Sequence, residues 1–280
     1  MQEKLKPVDY LIIGHITKDI TPQGYQLGGT ASYAALTAKM LGLEVGILTS
    51  YPAHYKFDIF RDIQICNIPA ENFTEFRNVY KNDQRTQYIY HIANKLSPTN
   101  IPEEWLKTPF VHIAPVACEI DPAIVNVFTK SRIGITPQGW LRKWDKSGLV
   151  SRTDLSINST IISNMDAIIL SLEDIGFDEN CIEIYNELTN ILVITEGKFG
   201  SRVYWNNDQR HFTAPEVEEV DPTGVGDIYA SSFFVNLLKT NNPWSAAQFA
   251  TKIAANSVQR EGLKGIPTIQ EIKNYNIEVF

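Results

Sequence analysis

The sequence predicts an α/β sandwich with a mainly parallel central sheet, and two observations lead to this fold class. Short, continuous apolar runs such as Tyr10–Ile13 and Ala167–Leu170 recur along the 280 residues. Runs of this kind are typical of strands buried on both faces of a parallel sheet. Segments with helical periodicity lie between them, which implies right-handed crossovers. One region, 73–92, alternates apolar and polar residues instead and predicts an antiparallel hairpin.

In the N-terminal half, the predicted strands and helices follow one another closely. Val8–Gly14 is the first predicted strand. Ala31–Leu41 is a predicted helix that ends at Gly42, and the strand Val45–Thr49 follows it at once. A further buried strand is predicted at Phe110–Val116.

The remaining sequence continues this alternation. Asp121-Pro122 is typical of a helix start, with a capping side chain and a proline at the first helical position. Asn241-Asn242-Pro243 ends one helix before the next begins. The other predicted strands are Arg132–Thr136, Ala167–Ser171 and Ile191–Thr195, and the other predicted helices are 178–190, 228–239 and 244–259.

Region 73–92 departs from the strand–helix pattern. Aromatic and β-branched residues such as Phe76 and Val79 alternate with polar ones, and Asn82-Asp83 offers a turn between two strands. Together with 19–27, this hairpin is predicted to form a small sheet over one edge of the main domain. An edge hairpin without a function would show the same pattern.

Composition and charge restrict the classes of function. An apolar fraction of 44% is enough for a packed core, and a net charge of −7 argues against a nucleic-acid-binding face. No apolar run approaches the roughly 18 residues of a membrane span, and the N-terminus shows no signal-peptide pattern. Cys66, Cys118 and Cys181 are typical of thiols in a reducing compartment. We therefore expect a cytoplasmic protein without nucleic-acid or membrane partners. The acidic stretch 216–219 is interpreted as a solvated loop or strand edge.

The run Asp221–Asp227 is the most informative motif. Gly224 and Gly226 allow a tight turn that approaches a ligand closely. The helix that follows directs its unpaired N–H groups and the positive end of its dipole at this turn, which favours an anion. A carboxylate beside such an anion, Asp227, suits a base that takes a proton from a hydroxyl attacking a phosphoryl group. A Gly-x-Gly-Asp fragment alone would also fit an ordinary turn before a helix.

The full run resembles the C-terminal signature Asp-x-Thr-Gly-Ala-Gly-Asp of the ribokinase/phosphofructokinase-B (PfkB) family of sugar kinases. This resemblance implies a single domain over residues 1–280, with a ribokinase-like three-layer α/β/α sandwich and a small β lid at about 19–27 and 73–92. It also implies transfer of phosphate from ATP, with Mg²⁺, to a hydroxyl of a small sugar or polyol. Asp227 would be the catalytic base, and the anion hole would comprise Gly224, Val225, Gly226 and Asp227.

Further segments resemble the family's substrate site. The Gly28-Gly29 turn before a helix is similar to the motif at which the family binds its sugar, although Tyr33 stands where many members have asparagine. By the same resemblance, Asp19 would bind sugar hydroxyls and Arg142 would offset the charge that develops during transfer. A structural turn and a loop acid would also account for these positions.

Two residues near Asp19 are less specific. His15 is interpreted equally well as a substrate contact or as a structural side chain. Lys18 is interpreted as a solvated surface charge.

The donor site is expected at the ends of the later strands, where open α/β sheets bind ligands. Thr195–Gly200 matches the family's Thr-x-Gly-x-x-Gly turn beside the nucleotide, and neither a Walker A loop nor a Gly-x-Gly-x-x-Gly fingerprint occurs. Their absence argues against P-loop enzymes and Rossmann dehydrogenases. The resemblance assigns nucleotide contacts to Ser171, Thr195, Gly197, Gly200, Thr223 and Asn256.

Two assignments at this donor site leave alternatives open. Ser171-Leu172-Glu173-Asp174 occupies the place of the family's Asn-x-x-Glu, so Asp174, or alternatively Glu173, would hold Mg²⁺ through water. Asn256 and Gly262 would border an adenine pocket, or they simply belong to helix packing.

The sequence does not identify a single compound as the phosphoryl acceptor. The combination of motifs resembles inositol-kinase-type members more than ribokinase itself, while ribose, fructose and nucleosides remain alternatives. A nucleoside kinase and a non-catalytic sensor of sugar or nucleotide are the competing functions. The lid sheet could also pair edge to edge in a homodimer.

Overall fold

The computed structural model describes residues 4–81, 84–153, 162 and 164–275. Fifteen strands and five α-helices are labelled in chain order. The strands are β1 (Tyr10–Ile13), β2 (Thr17–Thr21), β3 (Gly24–Gly28), β4 (Val45–Tyr51), β5 (Gln64–Pro69), β6 (Thr74–Lys81), β7 (Gln84–His91), β8 (Phe110–Ile113), β9 (Arg132–Ile135), β10 (Arg142–Trp144), β11 (Val150–Arg152), β12 (Ala167–Ser171), β13 (Ile191–Thr195), β14 (Ser201–Trp205) and β15 (Asp208–Phe212). The helices are α1 (Thr30–Met40), α2 (Glu179–Leu188), α3 (Val225–Thr240), α4 (Pro243–Ser257) and α5 (Ile269–Tyr275).

The central sheet has nine strands in the order β15-β14-β13-β12-β9-β8-β1-β4-β5. All neighbours from β5 to β13 are parallel, and Tyr10 of β1 lies opposite both Val45 and Phe110. Strands β13, β14 and β15 form an antiparallel meander at one edge. The chain places β4 on one side of β1 and later β8 on the other, which creates a crevice at the carboxyl ends of these strands.

Alternate residues of β1 enter different cores on the two faces of this sheet. Tyr10 and Ile12 belong to the core that includes α1, α3 and α4. Leu11 and Ile13 belong to the core on the opposite face, which includes α2 and residues from the 3-10 helices. Helical layers on both faces confirm the predicted α/β sandwich.

A second sheet contains four strands in the order β3-β2-β6-β7. Its hairpin β6–β7 is antiparallel, as predicted from the alternating pattern, and β2 joins it through a parallel pairing with β6 in which Asp19 lies opposite Phe76. The predicted turn at Asn82-Asp83 lies outside the described residues.

Several predicted elements differ in extent or type. The strand predicted at 110–116 ends at Ile113, and Asp121 caps a 3-10 helix, Pro122–Val127, by accepting a hydrogen bond from Ala123 N at 2.9 Å. Strands β5, β10, β11, β14 and β15 are absent from the prediction. The edge strand β15, with the sequence Asp-Gln-Arg-His-Phe, lacks an apolar run because it is largely exposed.

Lys18 is buried, so its interpretation as a solvated surface charge is wrong. Only 7% of the residue is exposed, and its Nζ lies 4.1 Å from the ring centroids of Tyr25 and Tyr55 and 4.2 Å from that of Phe73. Cation–π attraction from three rings offsets part of the cost of removing the ammonium from water. Because Tyr55 and Phe73 lie outside the small sheet, this cluster also attaches that sheet to the rest of the protein.

Three further expectations concern the acidic stretch, the cysteines and membrane-spanning helices. Residues 216–219 form an exposed loop, as predicted. The three cysteines are free and partly buried. Within the described ranges, none of the helices combines the length and the apolar character that a bilayer span requires.

Candidate active site

A cavity of about 420 Å³ opens at the carboxyl ends of the central strands. One wall comes from β2, β6 and β7 of the small sheet, and the opposite wall from the ends of β12 and β13 and the start of α3. The cavity therefore lies where the topology predicts a ligand crevice, and it is large enough for a small molecule.

The glycine-rich turn that leads into α3 is held from two sides. Gly224 is the N-cap of α3 and adopts a left-handed conformation with φ of 77°. A Cβ at this position would overlap the ring of Tyr33, so both the backbone and its packing require glycine. Asp221 accepts hydrogen bonds from Thr223 N at 2.9 Å and from Gly262 N at 2.8 Å, which attach the turn to the loop after α4.

Asp227 lies in the first turn of α3 and lines the cavity. Its Oδ1 accepts a hydrogen bond from Thr30 Oγ1 at 2.8 Å and a longer one from Gln138 Nε2 at 3.5 Å. Burial raises the pKa of Asp227 to about 6, while the Thr30 hydrogen bond and the charge of Arg142 act in the opposite direction. A carboxylate with this pKa is ionised at neutral pH and still basic enough to accept a proton.

Arg142 is the cation of the cavity wall. Its Nη2 donates to Gln138 Oε1 at 2.8 Å, its Nη1 donates to the carbonyl of Val116 at 3.0 Å, and its guanidinium lies 5.7 Å from the ring centroid of Phe76. These contacts hold the positive charge beside the carboxylate of Asp227.

The predicted Gly-Gly turn connects β3 to α1 and packs tightly. A Cβ at Gly28 would overlap the carboxylate of Asp19, and one at Gly29, whose φ is 83°, would press on the carbonyl of His15. Asp19 and Gly29 line the cavity, while Gly28 lies behind Asp19. The glycines thus let the chain pass closely behind the acidic side chain.

The ring side chains of His15 and Tyr33, near this turn, are buried and contact other protein groups. Burial lowers the pKa of His15, whose Nδ1 lies 2.6 Å from Thr74 Oγ1 and whose Nε2 lies 2.9 Å from the carbonyl of Asn94. It is not among the cavity-lining residues, which favours the structural interpretation. Tyr33 lines the cavity, but only 2% of it is exposed, and burial raises the pKa of its phenol. Tyr33 is therefore neutral and supports Gly224.

Oxygen-bearing side chains lie at the end of the cavity where the donor site is predicted. Asp174 Oδ2 accepts hydrogen bonds from Ser171 N at 2.9 Å and Ser171 Oγ at 2.7 Å, and Asp174 N donates back to Ser171 Oγ at 3.0 Å. Both residues line the cavity together with Glu173, Thr195 and Thr223. In the part of the chain that the structure describes, no three His, Cys, Asp or Glu residues cluster as metal ligands. Two carboxylates at a cavity suit Mg²⁺, which keeps several of its waters.

Four residues predicted for the donor site, and Val225 of the predicted anion hole, do not line this cavity. Gly200, with φ of 103°, packs against the carbonyl of Phe212 and serves the turn between β13 and β14. Asn256 donates a hydrogen bond from Nδ2 to the hydroxyl of Tyr275 at 3.2 Å. The other two donor-site residues are Gly197 and Gly262.

The structure also adds cavity residues that the sequence did not single out. Thr30 follows the Gly28-Gly29 turn, Gln138 follows β9, and neither side chain carries a charge. Asn78 and Gln87 form a cross-strand pair, with Gln87 Nε2 donating to Asn78 Oδ1 at 3.0 Å. The sequence signals at these positions are only the Gly-Gly turn and the alternation of the hairpin. Thr17 and Phe76 also line the cavity.

Several known kinases are similar to this chain in sequence. Residues 167–269 match the family described as pfkB family carbohydrate kinase. A cytidine kinase of Thermococcus kodakarensis is 26% identical over 81% of this chain and 87% of its own length. A ribokinase of Staphylococcus aureus is 25% identical over 72% of this chain and 69% of its own length.

Two solved structures share the fold across almost the whole chain. A pyrophosphate-dependent kinase in the ribokinase family, complexed with a pyrophosphate analog and myo-inositol, superposes with a TM-score of 0.78 at 18% identity, covering 94% of this chain and 99% of that one. A putative ribokinase II from E. coli, in complex with ATP and Mg²⁺, superposes with a TM-score of 0.70 at 18% identity, covering 97% and 99%. These similarities confirm the predicted ribokinase-like fold.

Proposed function

We propose that this protein, which contains a PfkB-family carbohydrate kinase domain, transfers the γ-phosphoryl group of ATP to a hydroxyl of a small sugar or polyol. It is a phosphotransferase by its family match and its kinase relatives. The observation that carries the finer proposal is Asp227, an acid with a pKa of about 6, held in a cavity at the N-terminus of α3.

The acceptor end of the cavity suits a neutral polyhydroxyl compound. Its polar side chains include the carboxylate of Asp19 and the amides of Asn78, Gln87 and Gln138. Carboxylates accept hydrogen bonds from hydroxyls, while amides both donate and accept, so together they match an array of hydroxyl groups. Phe76 and Val116 add an apolar surface of the kind that contacts the C–H face of a ring.

The transfer would combine proton acceptance with electrostatic stabilisation. Asp227 takes the proton of the attacking hydroxyl, and the turn at Gly224 and Gly226 directs N–H groups at the transferred phosphoryl group. Arg142 offsets developing negative charge. Asp174 and Glu173 would hold Mg²⁺ through water, and the metal would supply neutralisation of phosphate charge. The small sheet covers the acceptor end and limits hydrolysis by water.

Pyrophosphate is the second candidate donor. The Asn256 amide, assigned to the adenine pocket, is engaged by Tyr275, and Gly197 and Gly200 lie away from the cavity. A solved structure with the same fold is a pyrophosphate-dependent kinase. Both observations favour a donor site that binds phosphate groups and makes no contact with a nucleoside.

The first experiment measures acceptor-dependent phosphoryl transfer in Mg²⁺, with ATP or pyrophosphate as donor. The acceptors are myo-inositol, ribose, fructose and cytidine, and the proteins are wild type, Asp227→Asn and the control Asp208→Asn in the exposed β14–β15 hairpin. We expect acceptor-dependent turnover that Asp227→Asn slows by about 10²–10⁴-fold and Asp208→Asn leaves unchanged. Nucleotide binding without turnover for any acceptor would instead support the sensor function, and turnover with cytidine alone a nucleoside kinase.

A further inference from the structure

Four side chains form a continuous hydrogen-bonded chain that ends on the carboxylate of Asp227. Arg142 Nη2 lies 2.8 Å from Gln138 Oε1, Gln138 Nε2 lies 2.8 Å from Thr30 Oγ1, and Thr30 Oγ1 lies 2.8 Å from Asp227 Oδ1. Every contact described for the Asp227 carboxylate reaches Oδ1, and within the described residues no hydrogen bond reaches Oδ2.

The chemistry of these groups permits only one direction of donation. A guanidinium has no acceptor, so Gln138 must present Oε1 to Arg142 and its NH₂ group to Thr30. An NH₂ group only donates, so the Thr30 hydroxyl accepts from it and uses its single hydrogen toward Asp227. Oδ1 of Asp227 is therefore an obligatory acceptor.

Each member of the chain is held in place by the fold. Arg142 is attached to the carbonyl of Val116 and packs over Phe76. Gln138 lies in a 3-10 helix, Pro137–Leu141, that packs closely against the Pro115–Val116 backbone. Thr30 begins α1 and is fully buried. The chain is thus built into the framework instead of being a chance contact of mobile side chains.

We propose that this one-way chain keeps Oδ1 of Asp227 as a hydrogen-bond acceptor and leaves Oδ2 as the oxygen that takes the proton from the acceptor hydroxyl. The inference rests on the proposed kinase function. Thr30 and Gln138 are positioning residues, because they act on the reaction through Asp227.

The transfer step conserves atoms and electrons. The O–H bond of the acceptor breaks and its proton bonds to Oδ2, while the acceptor oxygen forms a bond to phosphorus. The bond between that phosphorus and the bridging oxygen of the donor breaks, and its electron pair leaves with the departing phosphate group. Protonation at Oδ1 is disfavoured because it would leave the Thr30 hydrogen directed at an O–H group.

Other charged and titratable groups act on Asp227 from several elements. Asp174, at the end of β12, and Asp19, on β2, both raise its pKa. Arg142 on β10 lowers it. Glu173 and Tyr33 also line the cavity, and Tyr33 is neutral. Thr30→Val alters none of these groups and adds no charge, so a change of titration in that variant isolates the chain. Gln138→Glu also adds a carboxylate beside Asp227, which by itself raises the pKa of Asp227.

The test uses one variant that breaks the chain, one that reverses it and one that preserves it. Thr30→Val removes the hydroxyl at nearly constant shape. Gln138→Glu turns the amide donor into an acceptor, so the Thr30 hydroxyl donates to the introduced carboxylate and no longer to Asp227. Thr30→Ser keeps the hydroxyl and is the matched control.

The readout is the carboxyl ¹³C resonance of Asp227 in metal-free protein, assigned by its loss in Asp227→Asn. We expect a midpoint near pH 6 in wild type and Thr30→Ser, and a midpoint about one pH unit higher in Thr30→Val and Gln138→Glu. The acidic limb of kcat/KM should move by the same amount, with rates recovering toward wild type above pH 8.

An unchanged midpoint in Thr30→Val would overturn the proposal, as would an equal loss of kcat at every pH. If Thr30→Val does not fold, Thr30→Ala, which also removes the hydroxyl without adding a charge, takes its place. If wild type transfers no phosphoryl group to any acceptor, the proposed function fails, while the ¹³C titration still tests the chain.

Discussion

The ring of Tyr33 packs directly against Gly224, so that the turn leading into α3 has no room for a side chain at that position. Tyr33 belongs to α1 and Gly224 to the signature run, and their contact joins the predicted acceptor motif to the predicted anion turn. Tyr33, at the position where many members of the family have asparagine, thus supports the predicted anion turn.

This contact predicts that Gly224→Ala destabilises the protein by roughly 1–3 kcal/mol. The added methyl group overlaps the ring, and the φ of 77° disfavours any residue with a Cβ. Urea denaturation followed by circular dichroism measures the change. Gly226→Ala is the matched control, because a Cβ there meets nothing within 4 Å. Equal stability of the two variants would contradict the packing argument.

The raised pKa of Asp227 predicts that Asp227→Asn stabilises the protein at neutral pH. The folded-state value of about 6 exceeds the ordinary value of 3.8, so ionisation costs stability as pH rises through 6. The variant avoids this cost, and we expect a gain of up to ~3 kcal/mol above pH 7 that disappears below pH 4. Unfolding free energies from pH 3.5 to 8 measure it, with Asp208→Asn as control. A gain independent of pH would have another cause.

The same pKa predicts an acidic limb in the pH profile of activity. Only ionised Asp227 accepts a proton, so kcat/KM should fall about tenfold per unit of pH below 6. Steady-state kinetics with the best acceptor from pH 5 to 9 measures the limb. Asp208→Asn should retain it and the residual activity of Asp227→Asn should lack it; persistence of the limb in Asp227→Asn would assign it to another group.

The buried ammonium of Lys18 predicts that Lys18→Gln is destabilising by about 1–2 kcal/mol. Glutamine loses the attraction to the rings of Tyr25, Tyr55 and Phe73 and leaves an amide among them. Because Asp19 is the next residue, the KM for the acceptor should rise more than kcat falls. Lys56→Gln, on an exposed lysine, is the control and should change neither quantity. A neutral effect at both positions would refute the cluster's role.

The two acidic residues after β12 give different expectations for Mg²⁺. Asp174→Asn should raise the Mg²⁺ concentration for half-maximal rate by roughly tenfold, since outer contacts to a metal typically have effects of this size. Glu173→Gln is the matched comparison. Titration of activity with Mg²⁺ at fixed donor concentration separates them, and a larger shift in Glu173→Gln would move the assignment to that residue.

Much of the backbone could be predicted from local patterns alone. The runs at Tyr10–Ile13 and Ala167–Ser171 become buried parallel strands. Pairing with parallel neighbours satisfies their backbone hydrogen bonds while the apolar side chains on both faces stay buried. The Gly224–Asp227 turn and the start of α3 were likewise predicted, since glycine conformation and helix termini are local properties.

Partners across the cavity depend on tertiary structure. Thr30 and Asp227 are 197 residues apart, and Gln138 reaches Thr30 across 108 residues, yet they share one network of hydrogen bonds. No local pattern encodes these contacts, because they depend on the packing of α1 against α3 and on the position of the 3-10 helix Pro137–Leu141 after β9.

The sequence by itself thus determined the strand–helix alternation, the glycine turn before α3 and the acid beside it, because these follow from short-range backbone preferences and side-chain chemistry. Only the tertiary structure decided that Lys18 is buried among three rings and that Tyr33 supports Gly224. Burial and hydrogen-bond direction depend on what packs around a side chain, and that surrounding is assembled from distant parts of the chain.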